Sequence, residues 1–236
     1  MNIHRTRNAL LLAALLAAAL SAPAAAQGGA QPFTDSFNLS GCTFSTTGAN
    51  TYMVLEPGFF LELEGEDDGE EVVLRITVLD ETILIKGYEA RIVEEREWKD
   101  GELAEVSRNY FAVCVENNSI FYAGEDVDFY EDGEIVGHEG TWLAGTDGAR
   151  GGLQMPGLPL LGARYYQEIA PGVALDRAEV VSVTAIMDVP AGRFERCLVT
   201  RETNELEPGA EEFKTYAPGI GLIQDGPLLL TEYGYE

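Results

Sequence analysis

The chain has 236 residues, with 15 Lys and Arg against 40 Asp and Glu, and a formal net charge of −25 at pH 7. Proteins that bind nucleic acid or anionic lipid depend on Lys and Arg contacts, so this balance argues against both partners. The length suits one all-β domain, because single domains of about 200–250 residues are common in that class.

The N-terminus has the order of a secretory signal peptide: a basic start, an uncharged Ala/Leu run over residues 9–20, and small residues up to Ala26. The run is shorter than the roughly 20 residues of a membrane-spanning helix. A lipidation site at residues 39–42 is the weaker alternative, because polar residues separate it from the run. We predict a signal peptide over residues 1–26, a single exported β-domain over 27–236, and a periplasmic or extracellular location.

From residue 59 onward, apolar and polar residues alternate in the two-residue period of strands with one buried face. Asp100-Gly101 and Asp132-Gly133 are strong hairpin-turn signals. An edge strand is predicted at the end of the chain, over residues 228–233. The other predicted strands cover residues 59–64, 71–79, 82–86, 90–98, 106–115, 119–130, 134–143, 178–189, 193–203, 211–216 and 220–223.

Residues 144–176 are rich in Gly and Pro, which excludes a long helix or a central strand there. We expect a long ordered loop that covers or gates the sheet. The predicted fold is therefore mainly β: one curved antiparallel sheet, a half-barrel or open barrel, with an apolar concave side and its acidic residues in water.

Three segments of the C-terminal third carry a family pattern: Val189–Leu198 with its PAGRF sequence, Leu206–Gly209, and Lys214–Ile223 with YAPGIGL. This pattern resembles a family of exported bacterial proteins and, through it, the curved half-barrels of lipoprotein carriers. The resemblance implies an incomplete barrel with an apolar concave side. It brings no catalytic residue, because the family has no established activity.

An exported chain with Cys42, Cys114 and Cys197 can form one disulfide, and three pairings are possible. We favour Cys42–Cys114, with Cys197 as a small buried residue. The single histidine after the signal peptide, His138, has no nucleophile motif nearby, so a hydrolase is the weakest of three functional hypotheses.

Calcium is the metal that the acidic segments favour, because it takes six to eight oxygen ligands. Asp126 and Asp128 share one face of a predicted strand and could chelate it. An acidic calcium-binding envelope or structural protein is therefore the alternative function. Charged hairpin tips that keep the protein soluble explain the same residues.

The leading functional hypothesis is a non-enzymatic binding module that holds an apolar ligand or a partner segment on the concave sheet. Aromatic and apolar residues in or beside the Gly/Pro-rich segment are the expected contacts. They are Trp142, Met155, Leu158, Leu161, Tyr165 and Tyr166.

Overall fold

Strands dominate residues 32–236, the part of the chain that this computed structural model describes. The predicted signal peptide lies outside that part. Residues 32–236 contain no helix with the length and apolar character needed to cross a membrane. The strands in this range are β1 (Phe44–Ser45), β2 (Phe59–Asp67), β3 (Glu70–Ile85), β4 (Tyr88–Lys99), β5 (Glu102–Cys114), β6 (Ile120–Glu131), β7 (Glu134–Gly137), β8 (Trp142–Leu143), β9 (Arg150–Met155), β10 (Arg164–Tyr166), β11 (Glu168–Ile169), β12 (Asp176–Val189), β13 (Gly192–Asn204), β14 (Glu212–Ala217), β15 (Gly221–Asp225) and β16 (Leu228–Tyr235).

The strands form one antiparallel sheet that curls into a nearly closed barrel with one unsealed seam. Its order is β10-β12-β13-β14-β15-β16-β2-β3-β4-β5-β6-β9-β11, with β1, β7 and β8 as short additions to β5 and β6. The predicted fold class, a single curved antiparallel sheet, is confirmed. The sheet closes further than a half-barrel.

The two strongest turn signals form hairpins as predicted. Asp100 and Gly101 have φ values of 48° and 84° between β4 and β5, and Asp132 and Gly133 have values of 52° and 79° between β6 and β7. Positive φ at both central residues gives the turn the same twist as its strands, and Asp-Gly adopts it at low cost.

The last strand of the sequence lies inside the sheet, which corrects the predicted edge strand over residues 228–233. Leu229 pairs with Gln224 of β15, and Leu230 pairs with Leu63 of β2. Leu63 and Leu230 are both fully buried. Strand alternation alone could not show this position, because the partner strand β2 is distant in sequence.

The seam lies within one short segment, residues 164–169. Its first half, β10, pairs with β12, and its second half, β11, pairs with β9. Only Gln167 separates the two halves. Its backbone N–H donates a hydrogen bond to the backbone carbonyl of Asp176 at 2.8 Å. The chain therefore links the two ends of the sheet at Gln167, while β10 and β11 do not pair with each other.

Residues 144–176 form a largely irregular segment, as their composition predicts, but β9 within it lies between β6 and β11, which corrects the expected absence of a central strand there. A Cβ at Gly151 would lie 2.5 Å from the Tyr122 carbonyl oxygen, and one at Gly152 would lie 2.3 Å from the Gln167 carbonyl oxygen. These glycines admit neighbouring backbone that a side chain would exclude. Glycine in this segment therefore permits close strand packing.

The two ends of the barrel differ. At the basal end, residues 48–58, here called the basal segment, contribute the fully buried Leu55. The Tyr52 hydroxyl of this segment donates to the Arg196 carbonyl at 2.9 Å, and the Gly219 amide donates to the Thr51 carbonyl at 2.8 Å. Because neighbouring strands run in opposite directions, a set of acidic hairpins shares the other end, here called the mouth. These hairpins are residues 67–70, 99–102, 131–134, 204–212 and 225–228.

Candidate functional site

A cavity of about 90 Å³, here called the deep cavity, lies inside the barrel beside the basal segment. Along β4, Val93 and Glu95 line it two residues apart, so they share one face of the strand. Its wall therefore changes from apolar to acidic toward the mouth. The apolar part includes Tyr52, Met53, Phe59, Leu61, Val78 and Phe111.

Lys214 of β14 is the centre of the polar part. Its Nζ lies 3.1 Å from Asp225 Oδ2 and 4.0 Å from Glu202 Oε2. Glu202 Oε1 also accepts hydrogen bonds from Thr200 Oγ1 at 2.9 Å and from Gln167 Nε2 at 3.2 Å. The network thus joins β13, β14 and β15 to the seam.

Lys214 also lines two further cavities at the mouth, of about 230 Å³ and 360 Å³. Asp225 lines the deep cavity and the 230 Å³ cavity, and Glu212 lines both mouth cavities. Asp176 and Glu202 line the 360 Å³ cavity. The shared residues place all three cavities around one amine, so together they form a candidate site that runs from the mouth into the barrel.

The electrostatics of this site follow from burial and crowded charge. Burial raises the pKa of Glu95 to about 7; Lys214 lowers it, and the carboxylates of Asp225 and Glu125 raise it. Burial alone lowers the pKa of Lys214, but the carboxylates of Asp225 and Glu202 outweigh it and hold that pKa well above its ordinary value. Lys214 therefore stays charged, while Glu95 titrates near neutral pH.

A second acidic group lies on the seam side of the barrel. Burial raises the pKa of Glu125 to about 7. Burial also raises the pKa of Glu168 well above its ordinary value, with further contributions from the carboxyl groups of Asp176 and Glu125. Because Asp176 lines the 360 Å³ cavity, this group continues the polar wall of the candidate site.

The six predicted ligand contacts do not line the deep cavity. Trp142 is buried, with its ring 5.3 Å from that of Tyr122 in an edge-to-face arrangement. Met155 and Tyr165 are also buried in the barrel wall. Leu158 and Leu161 are 77% and 69% exposed. The last of the six, Tyr166, donates its hydroxyl to Glu205.

The predicted calcium residues already have partners. Asp126 accepts a hydrogen bond from the Tyr110 hydroxyl at 2.5 Å, and Asp128 lies 2.9 Å from His138 Nδ1 and 3.8 Å from Arg108. Neither belongs, within residues 32–236, to a group of three metal-type ligands within 4.8 Å. The structure therefore pairs these carboxylates with a phenol, an imidazole and a guanidinium group.

The cysteines and the histidine lie in separate places. Cys42 and Cys114 form a disulfide that fastens the segment before β1 to the end of β5. Cys197 is buried and free. His138 is exposed, with its Nδ1 between Asp128 and the Val127 carbonyl oxygen. The thiol and the imidazole are therefore not assembled as a catalytic pair.

Sequence reasoning missed the acidic interior of the barrel. The expectation that acidic residues remain in water is wrong for Glu168, which is 5% exposed, and Glu202 enters the interior network. A usable signal was present in β13, where Leu198, Thr200 and Glu202 share one face. The face that is apolar at one end becomes acidic at the other, so the interior does not stay apolar along the strand.

No family model, curated protein or solved structure matches the chain. The resemblance to exported half-barrel proteins thus stays a prediction from its sequence motifs. The geometry of the site carries the functional argument.

Proposed function

We propose that the protein is an exported, non-enzymatic binding module that takes a small ligand through the mouth into the barrel. The observation that carries the proposal is that Lys214 lines the deep cavity and both mouth cavities. Ligand sites in proteins favour barrel mouths and combine apolar walls with a few placed polar groups.

Size decides which part of a ligand the deep cavity holds. Its volume of about 90 Å³ is smaller than the roughly 150 Å³ apolar cavity that accepts benzene. A short apolar group fits there, and the mouth cavities take the remainder. This favours a small molecule with an apolar end over a wholly apolar lipid. It also disfavours a partner segment, because a cavity of about 90 Å³ has no room for a stretch of polypeptide.

Export is supported by two features. The N-terminal residues have the order of a signal peptide. The Cys42–Cys114 disulfide persists best in an oxidising compartment such as the periplasm or the extracellular space.

Native mass spectrometry of the protein purified from its own host tests the proposal. We expect a bound small molecule that is lost in an Ile76→Trp variant, because Ile76 lines the deep cavity and the larger ring fills it. Ile135→Trp is the matched control, since Ile135 is 48% exposed on a hairpin. The proposal would be contradicted if the wild-type protein is purified without a bound molecule and also binds no short alkyl probe.

A further inference from the structure

A cavity of about 430 Å³, here called the side cavity, shares no lining residue with the candidate site. Its walls come from the segment around Phe37 and β1, from the turn between β3 and β4, and from the start of β9. Its volume is within the range of roughly 300–1,000 Å³ that is usual for small-molecule sites. The side cavity is therefore large enough to be a second site.

Two cations without a carboxylate partner line the side cavity. Among the Lys and Arg side chains of residues 32–236, all form an ion pair except Lys86, Arg150 and Arg196. Lys86 and Arg150 both line the side cavity, and both are exposed, so a ligand can reach them. In a chain with 40 acidic and 15 basic residues, two free cations in one cavity indicate a place for an anion from outside.

The fold holds these two cations near each other. Lys86 lies in the turn after β3, and its side chain packs over Gly145, where an added Cβ would lie 3.2 Å from Lys86 Nζ. The Gly145 backbone N–H donates to the Ala149 carbonyl at 2.8 Å, which places Lys86 beside the start of β9. Arg150 begins β9, and its Nη1 donates to the Asp35 backbone carbonyl at 3.2 Å.

Aromatic rings form the apolar part of the same cavity. Phe44 and Tyr88 stack with their ring centroids 4.3 Å apart. Phe37 and Phe44 each pack edge to face against Phe121, at 5.8 Å and 6.0 Å. The disulfide at the end of β5 fastens this part of the chain covalently. The wall therefore presents ring surfaces that are already in place for another ring.

We infer that the side cavity binds a small aromatic carboxylate, whose carboxylate group lies between Lys86 and Arg150 and whose ring packs against Phe44 and Tyr88. A guanidinium group matches a carboxylate in shape, and an ammonium group adds a point charge. Asp35 is the one acidic residue among the lining residues, so the two cations leave about one positive charge for the ligand. This balance favours a monoanion over a phosphate, which carries about 1.5 to 2 negative charges. The inference does not depend on the proposed function of the barrel interior.

Three probes with the same ring test the inference: benzoate, benzyl alcohol and benzylamine, titrated calorimetrically into the full wild-type protein at low ionic strength and about pH 7, where the acid and the amine are both charged. We expect benzoate to bind at least about tenfold more tightly than benzyl alcohol, because only the carboxylate forms charge-assisted hydrogen bonds with both cations. Benzylamine should bind most weakly, because its ammonium group would face two cations.

Variants locate the site. Lys86→Gln and Arg150→Gln should each remove most of the preference for benzoate over benzyl alcohol. Arg196→Gln is the matched control, since Arg196 also lacks an ion pair within residues 32–236 but does not line the side cavity. Ile76→Trp, which fills the deep cavity, should leave benzoate binding unchanged. Melting temperatures equal to that of the wild-type protein would show that the two Gln variants are folded.

Three results would overturn the inference. The first is a wild-type protein that does not bind benzoate, or binds it no more tightly than benzyl alcohol. The second is a preference for benzoate that survives in both Lys86→Gln and Arg150→Gln. The third is loss of benzoate binding in Ile76→Trp, which would assign the probe to the deep cavity and leave the proposed binding function standing.

Discussion

On β13 the side chains of Leu198 and Glu202 occupy the same face of the sheet, four residues apart, in different surroundings. Leu198 is fully buried in the apolar core, whereas Glu202 accepts hydrogen bonds from Thr200 and Gln167 and lies 4.0 Å from Lys214. The basal half and the mouth half of the barrel interior are thus built from the same strands. Alternation decides which side of the sheet a residue faces, and distance along the strand decides what it meets there.

The basal half and the mouth half also contribute differently to the free energy of unfolding. Burial of apolar groups in the basal half stabilises the fold, and burial of carboxylates in the mouth half opposes it. Proteins accept such destabilising groups where a site requires them. The mouth half is therefore where we expect substitutions to raise stability and reduce binding.

The largest expected effect is in the basal half. Leu198→Ala should lower the free energy of unfolding by about 3 kcal/mol, because it removes buried methyl groups and leaves a cavity. Chemical denaturation measures the change. Leu158→Ala is the matched control, since Leu158 is 77% exposed. Equal losses in the two variants would contradict the assignment of Leu198 to the core.

A smaller effect of opposite sign is expected in the mouth half. The pKa of Glu95 is about 7 in the folded protein against an ordinary value of 4.5, so the folded state holds this proton more tightly. Stability from this group is complete below pH 4.5 and is lost as pH rises through 7. Glu95→Gln should therefore stabilise the protein by about 2 kcal/mol at about pH 8 and by little at about pH 4.

Denaturation of the Glu95→Gln variant at both pH values measures this difference. The groups facing Glu95 are Lys214, Asp225, Glu125 and Glu105, so part of the pH dependence belongs to the carboxylates among them. Glu134→Gln, on the exposed hairpin, is the matched control for the substitution itself. A Glu95→Gln variant that gains as much stability at low pH as at high pH would show that Glu95 is not the titrating group.

The smallest effect is expected on the outer face. Calcium at about 1 mM should shift the melting temperature little, because Asp126 and Asp128 are already held by Tyr110, His138 and Arg108. Thermal denaturation with calcium, and with magnesium as the control, measures this. A large shift specific to calcium that is lost in Asp128→Asn would restore the calcium hypothesis.

Local patterns in the sequence predicted the hairpins and most strands. Asp100-Gly101 and Asp132-Gly133 are examples, because their turn conformation depends on the two residues themselves. The position of β16 could not be predicted in this way, since its neighbour β2 is chosen by packing of buried residues such as Leu63. The wall formed by Gly151 and Gly152 was missed because glycine marks loops and close backbone approach alike.

The candidate site was less accessible to prediction than the fold. The sequence directed attention to aromatic residues such as Trp142 and to adjacent acids such as Asp126 and Asp128. The site instead joins Glu95, Glu202 and other residues from separate strands, whose proximity depends on closure of the sheet. Acidic residues are also so numerous that composition could not mark the few that face inward.

The position of β16 has a consequence for how the chain reaches this structure. The Thr231 hydroxyl donates to the Glu62 carbonyl across a separation of 169 residues, so completing the sheet is among the most non-local steps in folding. Such pairings form slowly, because the chain loses loop-closure entropy before the new contacts compensate for that loss. Until β16 pairs with β2, one edge of β2 can pair with strands from other chains. Aggregation therefore competes most strongly with folding between synthesis of the chain and pairing of these two strands.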